Sequence, residues 1–173
     1  MGASHQPDSG FIAVFSPEEA RGLRIGVVTS RFNSAITDRL HRDAIDELLR
    51  LGVRREDIVE RFVPGAFELP LGAQSMIVAN RVDAVICLGC VIRGETPHFE
   101  YISQACAYGI QRVALSHGTP VIFGALTTDT VAQATARADG SHSAKGREAA
   151  RSAIEMAVAL RQDGMSRLSE AHA

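Results

Sequence analysis

The 173-residue chain has no tryptophan, only two tyrosines and only three cysteines. An odd, small cysteine count in a chain of this length excludes a disulfide framework and fits a reducing compartment. Cys87 and Cys90 form a C-x-x-C, but inside an apolar run and without a second pair, which excludes the zinc and thioredoxin-type readings. Neither charge sign dominates: 18 basic and 20 acidic side chains leave a net charge of −2. No broad field therefore favours nucleic acid or an anionic membrane. No apolar run approaches the roughly 20 residues of a membrane-spanning helix. The first ten residues carry no basic segment followed by an apolar one and are not arginine-rich, so neither a secretory signal nor a transit peptide is expected, and the cytoplasm is the expected compartment. Glycine-rich dinucleotide and P-loop motifs, H-E-x-x-H, G-x-S-x-G and an EF-hand loop are all missing, and the six histidines show no metal-ligand spacing. The common dinucleotide, ATP and zinc enzymes are thereby set aside.

What is present is an ordinary globular balance, 46% apolar and 22% charged, of one-domain length. Apolar strand-like runs lie at 24–29, 57–63, 84–89 and 121–126. Between and after them, apolar residues recur at helical spacing over 36–49, 68–80, 99–113, 131–136 and 145–160. Gly52 is placed to stop the first helix, and Pro70 must sit in the first turn of the second. Strands alternating with helices imply α/β architecture, with a four-stranded parallel sheet between helical layers. The expected division is an N-terminal extension over 1–22, a domain over 23–163 and a flexible tail over 164–173. The pentapeptide Phe11 to Phe15 reads equally as a sheet edge and as a strand added to a neighbouring subunit.

Ligands of open α/β sheets sit outside the carboxyl ends of the strands. After the third strand, Thr96 is placed as an N-cap and Pro97 as the first helical residue. The unpaired N–H groups of that turn, with Gly94, form a plausible phosphate site. His98 falls beside it, where an imidazole can move protons at neutral pH. Phe32 stands in a polar turn after the first strand, free to stack on a flat ligand. Glu68, after Pro64-Gly-Ala-Phe67, can accept hydrogen bonds from hydroxyls. Arg137 and Lys145 are candidate anion partners, Arg137 by its forked donors.

Taken together, SRFN (30–33), VPGAFELP (63–70), LGCVIRGETPHFEY (88–101), FGALTTDT (123–130), Arg137 and KGREAA (145–150) closely resemble the 6,7-dimethyl-8-ribityllumazine synthase family, in order and over roughly 23–160. The resemblance implies a flavodoxin-like three-layer α/β/α sandwich. It implies condensation of 5-amino-6-ribitylamino-pyrimidinedione with 3,4-dihydroxy-2-butanone 4-phosphate, a step of riboflavin biosynthesis needing no metal and no redox cofactor. Carried over by position, Phe32 stacks on the pyrimidine, and Ala66, Phe67 and Glu68 line the pyrimidine and ribityl site. Cys90, Val91 and Ile92 contact the heterocycle. Glu95 and Thr96 receive the phosphate on backbone N–H groups and Arg137 pairs with it. His98 transfers protons, Phe123 comes from the adjacent subunit, and Lys145 and Glu148 lie near the pocket.

The resemblance further implies pentamers with sites between subunits, and an association with riboflavin synthase is a partner it raises. Some relatives build icosahedral shells. No insertion separates Arg137 from Lys145, which leans toward a shell. Two departures stand out: Ala144 where many relatives carry Asn, and the segment Asp139 to Ser143, which differs from the usual glycine-rich linker. Rival readings are a lumazine- or riboflavin-binding protein without turnover, a flavodoxin-like FMN carrier and a purely structural shell protein.

Overall fold

A run of six buried residues, Ile25–Ser30, forms the first strand, β1, and the rest of the sheet is assembled around it. The computed structural model describes residues 14–140 and 143–165. The further strands are β2 (Ile58–Val63), β3 (Ala84–Ile92) and β4 (Val121–Thr128). They lie in the order β2-β1-β3-β4, all parallel, with Ile25 opposite both Ile58 and Ala84, and Val85 opposite Val121. Burial on both faces makes β1 and β3 near-continuous apolar runs, as parallel strands require.

The helices are α1 (Pro17–Arg21), α2 (Ser34–Arg50), α3 (Leu69–Asn80), α4 (His98–His117), α5 (Val131–Ala138) and α6 (Lys145–Gln162). Strand side chains alternate between two cores. Val27, Ile86, Leu88 and Cys90 face Leu40, Leu48, Ala134 and Ile154 of α2, α5 and α6. Val28, Val85 and Cys87 face Leu69, Met76, Cys106 and Ile110 of α3 and α4. The result is a three-layer α/β/α sandwich. Leu40, wholly buried, contributes about 2–5 kcal/mol by the usual cost of truncating such a side chain.

Two polar ties fix α2. His41 bonds Thr29 through Nδ1 at 2.8 Å and the Glu60 carboxylate through Nε2 at 2.7 Å, joining the helix to β1 and β2. On its other side α2 meets α6 so closely that a Cβ on Gly146 would collide with the Leu40 carbonyl oxygen. Gly52 has φ +107°, a left-handed conformation beyond the α2 C-terminus that suits glycine.

The structure departs from the sequence expectations at several element ends. β3 runs on to Ile92 and β4 to Thr128, so Cys90, Val91 and Ile92 are strand residues rather than loop residues. α1 was not anticipated; Ser16 and Glu19 cap it reciprocally, with Pro17 at its first position. α4 starts one residue later than expected. Thr96 is not its cap: Pro97, at φ −63° and ψ 0°, occupies that place, its carbonyl accepts the Glu100 N–H, and His98 is the first helical residue. Of the pentapeptide ending at Phe15, only Val14 and Phe15 are described. They form a bend, with Phe15 buried in the α2–α6 core; residues 11–13, which bear on the added-strand reading, lie outside the described residues.

Candidate active site at the carboxyl rim and the outer strand edge

Where β1 ends, Arg31 donates its N–H to Val63 O and Phe32 to Pro64 O, so the turn is laced to the end of β2. Asn33 follows with φ 59°, a left-handed conformation that Asn tolerates, and begins α2. Its Nδ2 donates to Cys90 O at 2.9 Å, tying this turn to β3. Phe32 is thereby held outward, 70% exposed. Asn33 is not among the candidate residues named from sequence; its place just ahead of a helical pattern is the signal that marks it.

Pro64 and Gly65 lead into a 3-10 turn, Ala66–Glu68, at the start of α3. Glu68 folds back so that Oε2 accepts the Gly65 N–H at 2.8 Å, while Ala66 is buried and Phe67 stands exposed. Beside this turn, β3 contributes Cys90, buried, with Val91 and Ile92 half-buried. Burial pushes the Cys90 thiol up to about 11, which keeps it from being a thiolate nucleophile at neutral pH. Residues 93–98, which carry Glu95, Thr96 and His98, are all exposed.

A second group lies at the outer edge of the sheet. A cavity of about 320 Å³ against β4 is lined by Phe123, Arg137, Lys145 and Glu148, together with Leu126 and Ser152. Arg137 is half-buried and donates to Gln133 O at 3.0 Å; among the described residues it meets no carboxylate, which leaves its charge for an anion. Lys145 is already paired with Glu148 at 2.5 Å. Ala144 caps α6 with no side-chain hydrogen bond. The sequence-predicted residues thus form two sets: one at the carboxyl rim of β1 to β3, the other in the β4-edge cavity, whose lining includes none of the rim residues.

An open parallel sheet in the order β2-β1-β3-β4, with aromatic and polar groups gathered at its carboxyl rim, defines a flavodoxin-like α/β domain built to handle a small ligand. Comparison with known sequences narrows the class. The sequence model of the 6,7-dimethyl-8-ribityllumazine synthase family matches residues 22–161. The curated protein named 6,7-dimethyl-8-ribityllumazine synthase from Syntrophus aciditrophicus (strain SB) is 51% identical over 143 residues, covering 83% of this chain and 93% of that one. The chain belongs to the 6,7-dimethyl-8-ribityllumazine synthase family, a family of transferases.

Proposed function

We propose that the rim and the β4-edge cavity are two halves of one active site, brought together between neighbouring subunits. There the chain condenses 5-amino-6-ribitylamino-pyrimidinedione with 3,4-dihydroxy-2-butanone 4-phosphate to 6,7-dimethyl-8-ribityllumazine, releasing phosphate and water. The observation that carries the shared-site reading is the gathering of Phe123, Arg137, Lys145 and Glu148 in one cavity that omits every rim residue.

In this reading Phe32 stacks on the pyrimidine, and Glu68 holds ribityl hydroxyls through its second oxygen while Gly65 anchors the first. Ala66, Phe67, Cys90, Val91 and Ile92 wall the heterocycle. The N–H groups at Glu95 and Thr96 receive the phosphate, and Arg137 of a neighbour steadies it as it leaves. The pyrimidine amine attacks the ketone, water leaves as the imine forms, phosphate is eliminated, and ring closure releases a second water. His98 moves the protons; holding two substrates in register supplies much of the rate.

Exposed apolar groups support assembly. α4 turns Tyr101, Tyr108 and Leu115 outward one heptad apart, and Phe67 in the 3-10 turn, Leu71 on α3 and Phe123 on β4 are exposed as well. A ring of five subunits, with a shell of such rings as the larger form, is the reading we adopt. Light scattering of the purified protein checks it: free pentamers alone would remove the shell. We place the protein in the cytoplasm, in keeping with three unpaired buried cysteines; among the described residues no helix is long and apolar enough to cross a membrane.

The test is turnover with both substrates, read by lumazine fluorescence and phosphate release, for wild type and His98→Ala side by side. Wild type should turn over, and His98→Ala should be slowed about 10²- to 10⁴-fold without unfolding. Wild-type binding of lumazine without turnover would favour the binding-protein reading instead.

A further inference from the structure

The loop between β3 and α4 has no burial of its own. Residues 93–98 are exposed throughout, and α4 begins without a side-chain cap. What holds it is one residue, Arg93, through its backbone and its side chain. The Arg93 N–H donates to Thr128 O at 2.9 Å, continuing the β3–β4 ladder by one bond. Its Nε donates to Asp129 Oδ1 at 2.7 Å, across to the turn after β4. Its Nη1 donates to Glu100, in the first turn of α4. The central guanidinium carbon, Cζ, lies over the Phe99 ring, 4.3 Å from its centroid. Arg93 therefore grips both ends of the loop, at residue 93 and at residues 99–100, and also the neighbouring β4–α5 turn.

We infer that Arg93 is a positioning residue, a clasp that sets the loop bearing Glu95, Thr96 and His98. Its charge is matched by two carboxylates, so it is not the counter-ion of the substrate phosphate; its fork and plane fix where the phosphate-binding N–H groups point. A lysine keeps the charge but has neither the fork nor the plane. Exposed ion pairs contribute little to global stability, so the clasp should matter for geometry rather than for folding. This inference rests on the functional reading above for its kinetic consequence, but the ordering of the loop can be read without it.

The experiment compares wild type with Arg93→Gln, Arg93→Lys, Asp129→Asn and Glu100→Gln. Hydrogen exchange of the hydrogen-bonded amides at the two ends of the loop, residue 93 (to Thr128 O) and residue 100 (to Pro97 O), should quicken at least about tenfold in Arg93→Gln, with the melting temperature within about 4 °C of wild type. In turnover, KM for the butanone phosphate should rise about ten- to hundredfold, with KM for the pyrimidine within about twofold. Arg93→Lys should recover little of this. Arg93→Gln combined with Asp129→Asn should be no worse than Arg93→Gln alone, since both open the same clasp. If Arg93→Gln fails to fold, the two carboxylate variants carry the same test. Unchanged loop exchange, or an unchanged KM for the phosphate substrate in an active enzyme, would overturn the clasp. A wild type with no turnover would instead sink the functional reading, leaving loop exchange to decide the clasp alone.

Discussion

Glu47 on α2 and Arg151 on α6 are 104 residues apart in sequence and meet at 2.7 Å between Oε1 and Nε. Glu47 is buried, and Arg50 bonds both of its oxygens from the next turn. The Arg50 hydrogen bond, opposed by burial and reinforced by Arg151, holds the carboxyl well below its ordinary 4.5, at about 2. A depressed carboxylate stabilises the fold above its unfolded pKa, and that contribution is lost as pH falls through the folded value. Glu47→Gln should therefore lower stability by about 1–3 kcal/mol at neutral pH. The gap to wild type should close between pH 4.5 and about 2, as followed by urea midpoints across that range.

At Gly146 α6 lies tight against α2, and a methyl there would meet the backbone at Leu40 and the Asp43 side chain. Gly146→Ala gains about 0.5–1 kcal/mol of helix preference but loses about 1–3 kcal/mol to overpacking against backbone that cannot yield. The variant should be less stable on balance, seen as a lower denaturant midpoint at constant slope. Lys145 adjoins Gly146, so activity should fall as well.

Ala144 leaves the first N–H groups of α6 without a side-chain acceptor. Ala144→Asn supplies one and should add about 0.5–2 kcal/mol. For a domain of this size that is a rise of about 2–4 °C in melting temperature per kcal/mol. A scan that shows no rise would mean the junction before Lys145 cannot adopt the extended backbone a cap needs.

A site shared between subunits makes a sharp prediction for mixtures. His98→Ala damages the rim and Arg137→Ala the edge cavity. Co-assembled in equal amounts, about one site in four should pair an intact rim with an intact edge, and activity should exceed that of either variant alone. No recovery, after exchange of subunits is verified by mass, would place both halves within one chain.

Much of the architecture was legible because burial and periodicity coincide. Ile36, Leu40, Ala44 and Leu48 repeat at helical spacing and all lie in the core. Element ends were less legible. Val91 and Ile92 are only half-buried, yet they stay in the ladder opposite Thr127 and Thr128, because strand pairing outlasts full burial. α1 is five residues long, too short for periodicity; only its capping signal at Ser16 and Glu19 marks it. Phe32, Glu68 and His98 could be nominated as candidates from local sequence, since each follows a strand. The partners of Arg93 could not: Asp129 is 36 residues away and is brought near only by the β3–β4 pairing. Nor could spacing reveal that Arg137 and His98 fall in separate groups.

The uncovered stretch from 93 to 98 leans on a side-chain grip, while the sheet leans on two apolar cores. Loosening the one need not loosen the other. On gentle warming, catalytic competence should fade before the melting transition begins, so a well-behaved unfolding curve is no certificate that a preparation is live.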